Sequence, residues 1–157
     1  MLTQTSFEIY FLPHVPFLNP LTSTKVLVER CPLYFWTLML LASRRNHAHQ
    51  SLYERLCMPL DRLLSGLAIT SMGKVEDVHA LLLLAQWPTP RLRRVQDPGW
   101  TYVGVAISNA LNMGLHRPVV PAGLTSDWRG FGDFTPADFS VETRVSTWLG
   151  CFVIGTQ

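Results

Sequence analysis

Apolar residues recur along this chain at intervals of three and four, the spacing that places them on one side of an α-helix. The clearest run is "KVEDVHALLLLAQWP", where Val75, Val78, Leu82 and Ala85 form a stripe that Leu81 and Leu84 widen. Leu52, Leu56, Leu60, Leu63, Leu64 and Leu67 repeat the pattern in "SLYERLCMPLDRLLSGLAI". Pro59 lies inside that run and predicts a kink or a break. "LYFWTLMLLASRR" is apolar nearly all round, which predicts a central helix packed on several sides. Cys31–Pro32 opens it, and its closing arginines suit the negative end of the helix dipole. A shorter helix is predicted over 21–30, with Thr22 or Ser23 as its cap.

"DPGWTYVGVAISNALNMG" predicts another helix, with Asp97 as N-cap and Pro98 at the first helical position. Gly104, Ala106, Ser108 and Ala110 are small enough to let a neighbouring helix approach closely. Gly114 stands where a left-handed C-terminal residue belongs, and Pro118 follows, so "MGLHRP" reads as a helix stop. The last helix is expected to start from Thr135 as cap, with Pro136 and Asp138 in its first turn. It continues through "SVETRVSTWLGCFVIGTQ", growing more apolar to the end, which reads as a C-terminal truncation. No strand-like alternation competes. The expected fold is all-α, an irregular bundle of six to seven helices joined by proline and glycine loops. Residues 1–20, with Pro13, Pro16 and Pro20 among aromatics, are expected to form an apolar arm lying on a helical body over 21–157.

Composition narrows what such a bundle does. Hydrophobic residues make up 48% and charged residues 15%, which excludes a disordered tail. The net charge of +2 and the single short cluster "RLRR" fall short of the basic stripe that a nucleic-acid backbone requires. No DNA-binding residue is therefore assigned. Cys31, Cys57 and Cys151 include no CxxC pair and read as core thiols. His47 and His49 are two apart and so point away from each other, and no metal site is assigned. His14 and His79 read as packing residues. There is no G-x-S-x-G elbow and no phosphate loop, so no catalytic or cofactor-binding residue is assigned. The acids, among them Glu76, Asp77 and Glu142, read as solvated faces and caps. The longest apolar run is half of what spans a bilayer, and no secretory signal opens the chain. His116 and Arg117 have two readings: cover for the open carbonyls of the preceding helix, or contact with an anion or effector at a pocket rim.

Three segments in order, "VHALLLLAQWP", "GWTYVGVAISNALNMGLHRP" and "ETRVSTWLGCF", resemble the middle homology region of fungal zinc binuclear cluster transcription factors. The "PHVPFL" arm is similar to a segment that often precedes them. Arg144 stands alone where that family often has two or three arginines, and Leu149 replaces the second of a tryptophan pair. The six-cysteine cluster that binds zinc and DNA in the family is missing from these residues. The resemblance implies a nuclear regulatory-domain fragment acting on transcription by RNA polymerase II, without catalysis. It also implies protein partners or the remainder of the domain, possible response to a small effector, and contact with DNA only through an absent segment. Trp87, Trp100, Tyr102, Gly114, His116, Arg117, Arg144 and Trp148 are the positions it singles out. Each also has a packing reading, the aromatics as core anchors and Arg144 as a partner for helix ends or acids. The alternative is a stand-alone helical interaction module, a truncated paralogue that modulates a full-length factor.

Overall fold

The computed structural model describes residues 7–18, 24–44, 50–67, 74–89, 98–117 and 140–156. Residues 7–10 are helical, and six longer α-helices follow: α1 Thr24–Arg30, α2 Pro32–Ser43, α3 Gln50–Leu67, α4 Val75–Gln86, α5 Gly99–Asn112 and α6 Val141–Gly155. A 3-10 turn, Leu12–His14, precedes them. The fold is all-α, and the described residues include no strand.

Two helices sit at the centre. α2, apolar nearly all round, packs against α1, α3 and α4. α4 packs against α2, α5 and α6, and it buries an unbroken run from Val78 to Leu84, wider than the stripe its sequence suggests. The arm is part of this core: Phe7, Phe11, Val15, Phe17 and Leu18 are all buried. α5 and α6 run antiparallel. Arg144 in the first turn of α6 reaches the end of α5, while a Cβ on Gly155 would stand 3.4 Å from Ile107 and Val103.

Several expected boundaries move. α3 passes through Pro59 without splitting, because Pro59 lies on the solvent side, where water can satisfy the carbonyl its missing N–H leaves open. α6 starts at Val141, not Thr135: Ser140 is extended, and its hydroxyl accepts from the Thr143 N–H at 3.1 Å. Thr135, Pro136 and Asp138 lie outside the described residues, as do Thr22, Ser23, His47, His49 and Asp97. Pro98 occupies the N-cap position of α5 rather than its first helical position. Of the four small residues in α5, Ala106 and Ala110 are buried, but Gly104 is exposed with no atom within 4 Å of where its Cβ would be. Close approach falls instead at Gly150, where a Cβ would stand 2.7 Å from the Phe17 ring.

Polar ties join the first turn of α4 to the α1–α2 joint. The Cys31 thiol donates to Asp77 Oδ1 at 2.9 Å, Lys74 Nζ donates to the Arg30 carbonyl, and Arg30 pairs with Glu76 at 3.3 Å. Glu76 and Asp77 are thus engaged rather than freely solvated, and both suit the positive end of the α4 dipole. No described helix is long and apolar enough to cross a membrane.

Candidate functional site

The end of α5 is built as its sequence suggests. Gly114 has φ of 68°, a left-handed conformation that costs other residues a steric clash. Its N–H donates to the Leu111 carbonyl, and the Leu115 N–H reaches back to Ala110, each at 2.9 Å. Leu115 and Ala110 are both buried, so the apolar contact that accompanies this kind of helix stop is in place.

The side chains that follow do something else. The carbonyls of Gly114 and Arg117 lie just past the helix, and that of Gly114 accepts from the Arg117 backbone N–H at 3.1 Å. Arg144 from α6 covers them, its Nη2 donating to Gly114 O at 3.2 Å and Arg117 O at 2.9 Å. One guanidinium therefore ties the turn that follows α5 to the start of α6. The Arg117 side chain lies over Gly114, its Cδ 3.6 Å from the position a Cβ would take. The His116 ring is 5.8 Å from the half-buried Trp148 ring, tilted by 55°. Gly114, His116, Arg117, Arg144 and Trp148 thus form one cluster at the α5–α6 junction.

The other three singled-out positions lie elsewhere. Trp87 ends α4, packing edge-on against Phe11 at 5.1 Å. Its carbonyl and that of Pro88 accept from Arg44 Nη1 at 3.1 and 3.3 Å. The arginine at the end of α2 thus serves the dipole of α4 rather than its own helix. Tyr102 is half-buried on α5. Trp100 is 76% exposed, so it is no core anchor; it sits in the first turn of α5.

Beneath the junction lies a buried polar pair that sequence reading reduces to plain packing. His79 Nε2 and Thr147 Oγ1 are 2.8 Å apart, with the Phe17 and Tyr34 rings beside the imidazole. Burial pushes His79 down to about 4, so it is neutral near pH 7. Burial likewise pushes the thiols of Cys31 and Cys151 up to about 12 and 11, which leaves neither a nucleophile. Among the described residues no group of three His, Cys, Asp or Glu side chains could hold a metal ion. A groove of about 230 Å³ opens between the arm and α6, lined by His14, Phe17, Gln86, Leu149 and Val153 among others. α6 itself is apolar on its outward side as well: Val145, Leu149, Phe152 and Val153 are 49%, 56%, 65% and 53% exposed.

Comparison with known proteins gives one consistent class. The chain is 29% identical over 151 residues, 93% of its length, to SEF1 of Kluyveromyces lactis, described as a transcription factor. It is 30% identical over 115 residues, 69% of its length, to a transcriptional regulatory protein, also SEF1, of Candida albicans. A regulatory protein of Saccharomyces cerevisiae is 25% identical over 138 residues, 78% of this chain and 15% of that protein. The chain spans about 12% of the length of each SEF1 protein. No family model matches, and no solved structure matches.

Proposed function

We propose that this chain is a regulatory region of a fungal nuclear transcription factor of the zinc cluster class, acting through protein contacts and a small effector rather than through catalysis. The observation that carries the reading is the coincidence of two independent lines. Similarity to transcription regulators extends over most of the chain, and the motif "MGLHRP" closes α5 onto the arginine of "TRVSTWLGCF". The most specific pieces of the resemblance are therefore in physical contact, which a chance likeness of separate segments would not require.

In this reading the bundle is the part that restrains or permits activation, and its outward α6 face takes further helical polypeptide of the regulatory region. A helix apolar on every side normally sits inside a protein, and α6 carries no charged residue from Val145 to Thr156. The exposed face also suits the second reading, a module that docks on a full-length factor in trans.

The test is a reporter in a yeast nucleus. The chain is placed between a heterologous DNA-binding domain and an activation domain and compared with a flexible linker of the same length. Reduced output relative to the linker is expected, and Arg144→Ala should relieve it. Output equal to the linker's would overturn the regulatory reading. Capture of one co-expressed full-length factor by the isolated chain, with no effect in cis, would favour the module instead.

A further inference from the structure

We propose that this chain pairs with a second copy of itself, the exposed indole of Trp100 from each copy seated in the groove between the arm and α6 of the other. The pairing stands apart from the regulatory reading, since it needs only these two surfaces.

The groove sets the chemistry of its occupant. At about 230 Å³ it falls below the roughly 300–1,000 Å³ of sites that hold small molecules, and it suits a single anchoring side chain. Phe17, Leu149, Val153 and Ile154 line it, with Gln86 and Ser146 as polar neighbours, and no Asp, Glu, Lys or Arg is among its lining residues. The occupant is therefore neutral and largely apolar. An indole fits that description: it has a broad apolar body and one N–H donor that takes an acceptor when buried. Gln86 and Ser146 each carry an oxygen that can accept.

The chain displays such a side chain itself. Trp100 is 76% exposed, more than any other large apolar residue among those described, so it is not seated in the groove of its own molecule. α5 carries no charged residue from Gly99 to Asn112, and α6 carries none from Val145 to Thr156. Bringing these helices against a second copy therefore strands no charge of theirs. The net charge of +2 opposes self-association only weakly. Because the indole and the groove belong to different elements, one two-fold arrangement engages both and gives two identical contacts. Each contact buries roughly 150–200 Å² of indole, together with Leu149 and Val153, which are 56% and 53% exposed. That is less than the ~1,200–2,000 Å² of a stable interface, so the pair is a transient one that dissociates in the micromolar range or above.

The test is sedimentation velocity of the full chain from micromolar to millimolar concentration, and the expected result is a monomer–dimer equilibrium. Trp100→Ser and, separately, Leu149→Glu should each weaken the dimer about tenfold or more. Their melting midpoints should shift by no more than a few degrees, because both side chains already face solvent. Trp100→Phe, which keeps an aromatic ring but loses the N–H, should weaken the dimer less than Trp100→Ser. Met58→Ser removes a 64% exposed side chain from α3 and should leave the dimer unchanged. A mixture of the first two variants separates this seating from general stickiness. Trp100→Ser keeps its groove and Leu149→Glu keeps its indole, so the mixture regains one contact and associates more tightly than either variant alone. A chain that stays monomeric, a ladder of larger species, or a dimer that survives Trp100→Ser would overturn the pairing. So would a dimer lost in Met58→Ser, or a mixture no tighter than its components.

Discussion

Two buried threonines show how far one hydroxyl's value depends on what it meets. Thr37 in α2 and Thr147 in α6 are both fully buried. Thr147 bonds His79, whereas the Thr37 hydroxyl has no hydrogen-bond partner among the described residues. The same substitution should therefore act in opposite directions. Thr37→Val removes an unsatisfied group and should raise stability by about 1 kcal/mol, while Thr147→Val strands the imidazole and should cost about 1–3 kcal/mol. Urea melts of the two variants check this. His79 adds a pH signature. Above about pH 6.5 it is neutral folded and unfolded, so it adds no pH dependence. As pH falls, the unfolded chain takes up a proton that the buried imidazole refuses, and stability drops until the folded form also protonates near 4. The loss across that window is on the order of 3 kcal/mol. It should shrink in His79→Gln, measured as melting midpoint against pH.

A helix receives a neighbour at one glycine and merely contains another. At Gly150 the Phe17 ring fills the space a Cβ would need, and Phe17 is buried. Gly150→Ala should push the arm off α6 and cost about 1–3 kcal/mol, outweighing the gain in helix propensity. Gly104→Ala meets nothing and should stabilise by about 1 kcal/mol. Paired thermal melts decide both. The sequence shows why one of these glycines could be foreseen and the other misassigned. Periodicity finds α4 and the stop at Gly114 because both are local, set by residues within one or two turns. Which glycine receives a neighbour depends on where the arm lands, more than a hundred residues away in the chain. The same distinction governs the arginines. Arg144 and Arg44 are legible as cations near helix ends, but the carbonyls they meet lie 27 and 43 residues away. The start of α6 is a local ambiguity of sequence: Thr135 and Ser140 are both residue types that cap helices, and the Ser140 hydroxyl accepts from the third residue of the helix, while Thr135 lies outside the described residues.

At the scale of the molecule, α4 lies in the interior while α6 shows an apolar side outward. The arm, α4 and α5 account for the inward residues Thr147, Gly150, Cys151 and Ile154. Nothing among the described residues covers Val145 or Phe152, and the proposed regulatory role assigns that face to further polypeptide. The most direct measurement is reporter output from the fusion carrying Val145→Ser and Phe152→Ser together, with a thermal melt of the same double variant. The expected result is output restored to that of the flexible linker, with a melting midpoint shifted by no more than a few degrees, because both side chains already face solvent. Output as restrained as in the unmodified fusion, with the midpoint equally intact, would contradict a regulatory interface on α6.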